Sequence, residues 1–413
     1  MKIGLIVIAS IVAVVVVVVI CVLAVPQSNN VNDESKDVPA PVVTEVIPTL
    51  EEIRAVGENL TSEGEISVWR KRLATLPSEQ VEAVEPGRGE NPDNTKLVES
   101  IITKEEWDYL FPKRNSEYTY DNFLKAIAKF PAVCDPEKGE ATCRNVLATL
   151  FAHFTQETGA HNPNDEEVPE EWRQGLKYLV EIGCEEKDCG YSTKNQYCKE
   201  PTYDENGRPD PWQAAAWPCG KKENGEYQSY HGRGAIQLSF NFNYGQFSAS
   251  MFGDIRKLLD NPDLVKNTWL NFASAIWFYA TPQPPKPSML GTIVGDWEPS
   301  EEDKQRGLRL GFGITTNVLN GGIECNKGNE TPQALNRAKY YKEFAKYLGV
   351  KIEGDTGCGR MKPFENKGDV NLYWDQDWSK KYHCKLVKWT TTYSALAYND
   401  YVRCVKDIYK INI

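Results

Sequence analysis

Positive charge is in deficit along this chain of 413 residues, which has 47 Lys and Arg against 58 Asp and Glu and a formal net charge of −11 at pH 7. A protein that binds nucleic acid needs a concentrated cationic surface to neutralise phosphate groups. The charge balance therefore argues against a nucleic-acid partner.

Sequence patterns that hold metal ions are also missing. The four histidines are scattered, and no two of the eleven cysteines form the Cys-x-x-Cys spacing that is typical of zinc sites. We therefore expect no metal site. Cys21 lies in an apolar segment, and the other ten cysteines are an even set that suits structural disulfide bonds in an oxidising compartment.

A long apolar run occurs only once, from Ile3 to Val25. As a helix, this run would span roughly 34 Å, which is enough to cross a bilayer. Lys2 precedes the run and Asp33 follows it, so the positive-inside rule places the amino terminus in the cytosol. A small-x-small site at residues 22–24 leaves cleavage as a signal peptide open. We favour an uncleaved anchor, and both alternatives place the body outside the cytoplasm, as a type II membrane-anchored or a secreted protein.

The composition predicts three regions. Residues 1–25 are the signal-anchor or signal peptide, and residues 26–98 are polar and free of cysteine, as expected for a largely disordered stalk or linker with a short helix. Residues 99–413 are dense in aromatic residues and cysteines and show neither a second linker nor a repeat, so we expect one folded body. Sequons at Asn59 and Asn329 would be accessible to glycosylation outside the cytoplasm.

Within this body, hydrophobic periodicity predicts mainly helices. Thr103 has the pattern of a helix cap, and Asn224–Gly225 is a hairpin turn signal. The predicted helices run over residues 145–156, about 171–183, 269–279 and 335–348. The predicted fold class is therefore mainly α, with a small antiparallel sheet.

The segment Gly232–Gly245 places amide and hydroxyl side chains between aromatic ones, behind a Gly-Arg-Gly turn. Neutral sugars are bound by such mixtures, because aromatic faces stack on the ring while fixed polar groups reach its hydroxyls. An acidic protein can bind a neutral polysaccharide without penalty. An ordinary antiparallel strand with one polar face explains the same pattern equally well.

Two carboxyl groups are candidates for acid–base chemistry on a glycosidic bond, which needs one protonated and one ionised carboxyl. Glu157 ends the apolar helix, where partial desolvation would disfavour its charged form, as a general acid requires. A structural glutamate at a helix end is the simpler alternative for Glu157 taken alone. Glu181 is the candidate base, and its sequence spacing does not show whether it faces Glu157.

From about Phe151 to Phe364 the sequence resembles the catalytic domain of family 19 chitinases of the plant class I and II type. The resemblance rests on ordered blocks at Gln156–Gly159, Trp217–Cys219, Gly232–Ser239 with Asn241–Gly245, Asn261–Leu264, Thr281–Ser288 and Asn317–Cys325. It implies a lysozyme-like, two-lobed, α-rich fold with a deep sugar cleft.

The resemblance also implies residue roles. Glu157 falls on the general acid of the family, Glu181 on its general base, and Ser239 on the serine that holds the attacking water. The implied substrate-binding positions are Trp217, Gln237, Asn243, Tyr244, Asn320 and Arg337. Arg337 has two interpretations: it orients Glu157 or Glu181 through a charge-assisted hydrogen bond, which the resemblance favours, or it is an exposed helix cation. The implied disulfides are Cys198–Cys219 and Cys325–Cys358, whereas proximity in sequence suggests Cys134–Cys143, Cys184–Cys189 and Cys384–Cys404.

The chain departs from the family pattern at a few positions. Gln156 stands where the plant motif has histidine, and His161 is too far along the sequence to replace it directly. Phe242 stands where the plant motif has tyrosine. Beyond the resemblance, we expect Trp374, Trp378 and Trp389 to serve packing rather than a separate carbohydrate-binding surface.

The sequence therefore predicts a monomeric endochitinase, which cuts β-1,4-N-acetylglucosamine linkages in chitin by an inverting acid–base mechanism without a cofactor. Two alternatives stay open: a muramidase-like hydrolase of peptidoglycan, and a chitin-binding protein with weakened catalysis.

Overall fold

The computed structural model describes residues 46–185, 187, 189–192, 196–205, 209–365, 371–389 and 391–412. Residues 47–413 form one compact unit. The predicted membrane segment, residues 3–25, lies outside the described residues. Of the helices that are described, none is both long enough and apolar enough to cross a membrane.

Helices dominate the described part of the chain. Four short 3-10 turns, at Pro136–Lys138, Glu171–Arg173, Gln196–Cys198 and Pro262–Val265, accompany the α-helices. The α-helices are α1 Leu50–Thr61, α2 Gly64–Arg72, α3 Ser78–Glu82, α4 Asp93–Ile101, α5 Lys104–Leu110, α6 Tyr120–Lys129, α7 Glu140–Thr158, α8 Trp212–Ala216, α9 Asn241–Phe252, α10 Arg256–Asp260, α11 Leu270–Ala280, α12 Met289–Ile293, α13 Glu301–Gln305, α14 Phe312–Glu324, α15 Pro332–Tyr347 and α16 Asp400–Tyr409.

The strands form two antiparallel pairs. β1 (Thr202–Tyr203) pairs with β2 (Pro209–Asp210), and β3 (Tyr373–Gln376) pairs with β4 (Cys384–Val387), with Tyr373 opposite Val387. The predicted class, mainly helical with a small antiparallel sheet, is confirmed.

The main core surrounds α7, which is apolar on most of its circumference and is therefore central. Phe151 and Phe154 of α7 are buried, and Phe151 packs edge-on against Trp107 and Phe344. Phe272 of α11 closes the same aromatic cluster. The Thr103 cap predicted from sequence is confirmed, because its side chain and that of Glu106 form a reciprocal capping box at the start of α5.

Both ends of the chain build a second core. Ile53 of α1 is buried with Trp374 of β3 and with Tyr401 and Val405 of α16. Cys404 of α16 is disulfide-bonded to β4. The folded body therefore begins near residue 47 rather than at the predicted boundary of 99. Contacts between segments more than 300 residues apart leave no local signal in the sequence, so the amino-terminal segment resembles a linker.

Five disulfide bonds join the cysteines in the pairs expected from the resemblance and from proximity. They are Cys134–Cys143, Cys184–Cys189, Cys198–Cys219, Cys325–Cys358 and Cys384–Cys404.

The helix predicted over residues 171–183 is wrong. Only Glu171–Arg173 forms a single 3-10 turn. Residues 175–176 then form a non-helical turn, in which Leu176 has φ of +60°, and the chain continues to Val180, which pairs with Arg233. The alternative of a strand over Gly232–Gly245 is also wrong, because α9 begins at Asn241. The tryptophans beyond Phe364 differ in solvent exposure: Trp374 is 2% exposed, whereas Trp378 and Trp389 are 83% and 56% exposed. The packing role holds for Trp374 alone.

Gly57→Ala tests the second core. A Cβ atom at Gly57 would lie 2.6–2.8 Å from three carbons of Tyr401, so we expect a loss of about 1–3 kcal/mol from overpacking, although alanine favours a helix by about 1 kcal/mol. Denaturant unfolding measures the change. The matched control is Gly322→Ala in α14, where a Cβ atom meets open space. An unchanged or raised free energy of unfolding in Gly57→Ala would contradict this packing of α1 on α16.

Candidate active site

Glu157 lies in the last turn of α7, where the helix leaves the aromatic core. Its side chain is 21% exposed, and its carboxylate forms an ion pair with the guanidinium of Arg337 on α15. The residues before it on the helix, from Phe151 to Thr155, are buried. Glu157 is thus a half-buried carboxyl held at the edge of the core by a buried cation.

Arg337 binds a second carboxylate as well. Its Nε donates to Oε2 of Glu324 over 3.0 Å, and its Nη2 lies 2.8 Å from Oε1 of the same residue. Both side chains are almost fully buried, at 2% and 1% exposed. Burial alone would lower the pKa of Arg337, but the carboxylates of Glu157 and Glu324 outweigh it and raise the pKa above its ordinary value.

Two further groups complete this cluster. The Nδ2 of Asn320 donates to Oε1 of Glu324 over 2.8 Å, at a point where the backbone of α14 departs from helical geometry. His153 lies 3.2 Å from Nη1 of Arg337, and burial, with the nearby guanidinium, lowers its pKa well below the ordinary value. His153 is therefore neutral at physiological pH, and the cluster holds one cation and two carboxyl groups.

The segment that carries Glu181 is bound to α7 by its backbone. The carbonyl oxygen of Thr158, the residue after Glu157, accepts from the amides of Lys177 and Tyr178 over 3.0 and 2.9 Å. The Thr158 hydroxyl accepts from the amide of Leu176 over 2.9 Å. The start of this segment is thus fixed to the helix end that carries Glu157.

The end of the same segment is bound to the Gly-Arg-Gly turn. The amide of Glu181 donates to the Gly232 carbonyl over 2.8 Å, and the Gly232 amide donates back to Oε2 of Glu181 over 3.1 Å. The Gly234 amide donates to the Leu179 carbonyl over 2.9 Å. Gly234 has φ of +74°, and a Cβ there would lie 2.6 Å from the Asn271 carbonyl oxygen, so this turn requires glycine.

Tyr191 connects Glu181 with Ser239. Its hydroxyl lies 3.5 Å from Oε1 of Glu181 and also hydrogen-bonds to Ser239. Burial and the Glu181 carboxylate raise the pKa of Tyr191. Ser239 donates to the Gln237 carbonyl over 2.9 Å and accepts at its own carbonyl from Nδ2 of Asn243 over 2.9 Å.

Aromatic rings lie beside these polar groups. Phe240 and Phe242 stack with ring centroids 5.4 Å apart and an interplanar angle of 6°. Tyr191 and Tyr197 pack against Phe240, which is 38% exposed. The mixture of aromatic, amide and hydroxyl groups expected from the sequence is therefore assembled, although on a turn and a helix start rather than on a strand.

The predicted substrate-binding residues separate into two groups by burial. Gln237, Asn243 and Asn320 are half-buried and can present an amide to a ligand. Trp217 and Tyr244 are buried and support the site from behind, which disagrees with the expected direct contact: Trp217 packs under Gly245, and Tyr244 bonds to Arg233 and the His231 carbonyl. Arg337 is also buried, so it is not an exposed helix cation, and its ion pair with Glu157 is the orienting contact that the resemblance favours.

Three residues of the site were missed by reasoning from sequence. Glu324 lies within the matched block Asn317–Cys325 and could have been found there, whereas Tyr191 carries no local signal. The third is His161, whose ring folds back onto the Gln156 carbonyl at 3.0 Å and interacts with the charge of Glu157. His161 therefore lies next to Gln156 in space, although it is five residues further along the sequence.

Within the described residues, no group of three or more His, Cys, Asp or Glu side chains is placed to hold a metal ion. The functional groups of the site are carboxyl, amide and hydroxyl groups, which are suited to proton transfer and hydrogen bonding.

Residues 101–358, more than half of the chain, match the family model described as chitinase class I. The chain belongs to the class I chitinase family. The resemblance predicted from sequence is confirmed, and family membership identifies this class I chitinase as a glycoside hydrolase. The match begins at 101, so it includes a region before Cys134 that the resemblance did not cover.

This class I chitinase is 32% identical over 295 residues to endochitinase CH25 of Brassica napus, covering 70% of this chain and 80% of the relative. It is 34% identical over 282 residues to a basic endochitinase of Vitis vinifera, covering 66% and 78%. Among solved structures it resembles chitinase C from Streptomyces griseus HUT6037 at 25% identity, with 62% and 80% coverage. The TM-score of 0.42 is too low for an argument about shape.

Asp263→Asn tests the support of the Gly-Arg-Gly turn in this class I chitinase. Asp263 forms an ion pair at 2.9 Å with buried Arg233. Burial alone would raise the pKa of Asp263, but Arg233 and Lys266 lower it below the ordinary value. The pair therefore stabilises the fold above the unfolded pKa of about 3.9, and this stability is lost as pH falls through the lower folded pKa.

At pH 7 we expect Asp263→Asn to lose about 1 kcal/mol of unfolding free energy, a modest value because the carboxylate is half-exposed. At pH 3 the difference from wild type should shrink. Denaturant unfolding at both pH values measures it, with the exposed Glu223→Gln as control. An equal loss at both pH values would show that charge is not the cause.

Proposed function

We propose that this chitinase cuts β-1,4-N-acetylglucosamine linkages within chitin chains, with Glu157 as general acid and Glu181 as general base. The observation that carries this proposal is the backbone connection between the two glutamates. Tyr178 is hydrogen-bonded to the residue after Glu157, and three extended residues from Tyr178 to Glu181 span at most about 11 Å. This short connection supports the placement of the two carboxyl groups in one site.

The charge of the Arg337 cluster supports Glu157 as the acid. One guanidinium faces two carboxyl groups, so the cluster carries a net negative charge when both are ionised and none when one is protonated. Glu324 is fully buried, and its carboxyl oxygens are already occupied by hydrogen bonds from Arg337 and Asn320. Glu157 is the more exposed of the two and is placed to hold the proton and deliver it to the leaving oxygen.

Glu181, Tyr191 and Ser239 support the attack by water. Glu181 receives two hydrogen bonds, from the Gly232 amide and the Tyr191 hydroxyl, which hold its side chain in position. The Ser239 hydroxyl lies next to the same tyrosine and can accept a hydrogen bond from water. Glu181 takes one proton from that water while the water oxygen attacks the anomeric carbon. At the same time, Glu157 protonates the leaving oxygen as its bond to the anomeric carbon breaks.

A neutral sugar polymer suits the groups around this pair. Gln237, Asn243 and Asn320 offer amides to hydroxyl and N-acetyl groups, and Phe240 offers an exposed ring to the apolar face of a sugar. The names of relatives in Brassica napus and Vitis vinifera, both endochitinases, support the same substrate and internal cleavage. Five disulfides suit a monomer that works outside the cytoplasm.

The first product anomer tests the mechanism. With single displacement by water, a chitin hexamer should first release the α-anomer from its β-linkage, because inversion leaves room for a water between carboxyl groups about 6.5–9.5 Å apart. Proton NMR during the first minutes of the reaction detects it. Initial release of the β-anomer would contradict inversion, and cleavage of bacterial wall but not of chitin would favour the muramidase alternative.

Glu157→Gln tests the acid directly. The variant keeps the shape of the side chain but donates no acidic proton, so we expect kcat on chitin hexamer to fall at least about 100-fold. Oligosaccharide affinity should stay within about threefold, and Glu181→Gln should behave likewise. Glu223→Gln, in the exposed hairpin, is the control. Full activity of Glu157→Gln would refute the assignment, whereas a wild-type protein that binds but never cleaves would favour the chitin-binding alternative.

A further inference from the structure

We propose that the terminal segments, which are helices α1 and α2 on one side and β3, β4 and α16 on the other, extend the sugar cleft with an additional chitin-binding subsite. In this subsite, Trp69 of α2 stacks on a sugar beyond those held at the catalytic pair. This inference rests on the proposed function. Trp69 lies outside residues 101–358, the part of the chain that matches the family model. The subsite would therefore be an addition that this chain makes to the family cleft.

A cavity of about 770 Å³ lies between the catalytic body and the terminal segments. The body contributes Asn243 and the loop Thr281–Ser288, and the terminal segments contribute Trp69 and Tyr373. This volume falls in the range of about 300–1,000 Å³ that is usual for ligand sites. The cavity is therefore large enough for sugar units and has one wall built from each part of the chain.

Two lining residues connect the cavity with elements of the candidate site. Asn243 lines the cavity and donates to the Ser239 carbonyl over 2.9 Å. Lys286 lines the cavity and donates to the Val318 carbonyl over 3.0 Å, on the helix that also carries Glu324. The cavity therefore lies beside the elements that carry the site, although neither Glu157 nor Glu181 lines it, and the subsite requires a polymer long enough to extend from one to the other.

The lining has the chemistry that a sugar chain needs. Rings from both parts of the chain line the cavity, with Trp69 on α2 and the edge-packed pair Trp297 and Phe364, 6.0 Å apart, on the body. Gln246 and Gln283 add amide groups. Aromatic rings against an apolar sugar face, together with amides for its hydroxyls, are the usual basis of such binding.

The charged side chains at the cavity favour a neutral ligand over an ion. Arg72 of α2 forms an ion pair with Asp296 at 2.6 Å, which also closes α2 onto the body. Glu365 lies 3.2 Å from Arg306. These charges are compensated within the protein. The lining also contains Glu65 and Asp303 against Lys286 and Lys388, two charges of each sign, so hydrogen bonding and stacking remain for recognition.

Helix α2 has no fully buried residue, yet it turns two apolar side chains to the cavity. Val68 is 46% exposed, and Trp69 is half-buried. Neither side chain belongs to a hydrophobic core, so core packing does not account for their apolar character. A sugar stacked on Trp69 would cover apolar surface that water now contacts, which is a favourable change.

The test measures oligosaccharide affinity in the Glu157→Gln background, where nothing is cleaved. Isothermal titration with N-acetylglucosamine oligomers of three to eight units compares Glu157→Gln alone with versions that add Trp69→Ala, Trp69→Phe or Trp378→Ala. Trp378 is the matched control, since it is 83% exposed, belongs to the same terminal part and does not line the cavity.

We expect Trp69→Ala to raise the Kd of the longest oligomers about threefold to tenfold, which is the change in affinity expected from the loss of one aromatic contact. The Kd of the trimer should stay within about twofold of the background value. Trp69→Phe keeps a smaller ring and should give an intermediate loss even if the alanine variant folds poorly. Trp378→Ala should match the background at every length.

Two failures are distinguishable. If the Glu157→Gln background binds no oligomer, the proposed function fails and the subsite with it. If the background binds, but its affinity is the same in the Trp69 and Trp378 variants at every length, the additional subsite is refuted while the proposed function stands. A loss at Trp69 that is equal for short and long oligomers would also refute it, since the trimer would then be occupying this cavity.

Discussion

The proposed catalytic arrangement depends on one backbone constraint: the segment from Leu176 to Glu181, which is hydrogen-bonded at its start to Thr158 and at its end to Gly232 and Gly234. Without it, Glu157 and Glu181 would be carried by unrelated parts of the chain. Most of these bonds join main-chain groups and do not depend on side-chain identity, so they restrain the spacing of the two glutamates while neighbouring side chains remain free to vary. Within this arrangement, Thr158 is restricted because its hydroxyl accepts from Leu176, and Leu176 and Gly234 are restricted by positive φ.

A second constraint is electrostatic. Arg337 is buried, and a buried guanidinium is stable only with compensating partners. Glu324 supplies full compensation by itself, with two atoms of its carboxylate in contact with Arg337. The ion pair with Glu157 is thus additional, so Arg337 stays compensated whether Glu157 carries its proton or has given it to the leaving oxygen. We infer that this is why two carboxyl groups share one cation: the acid can change its charge without exposing an unpaired cation in the core.

Local features of the sequence predicted much of this fold, and long-range contacts account for what was missed. The helix that carries Glu157 follows from the spacing of Val146, Leu150 and Phe154, and three disulfides follow from the proximity of their cysteines, whereas Cys198–Cys219 and Cys325–Cys358 came from the resemblance. The pairing of Glu181 with Glu157 also came from the resemblance, because its segment is ordered by Thr158 and Gly232, about 20 and 50 residues away in sequence. Tyr191 was missed since an isolated phenol carries no signal until a partner approaches, and Glu324 was missed although it lies in a matched block.

The same reasoning explains why the terminal segments were taken for a linker and a tail. Neither α1 nor the β3–β4 hairpin can bury enough apolar surface alone, and a two-stranded hairpin is at best marginally stable in isolation. Packed together through Ile53, Trp374 and Tyr401, they form a core of their own. Val81, between these segments and the family region, is buried in the main core. The terminal segments are therefore part of the folded body, and any function of the cavity beside Trp69 requires both ends of the chain.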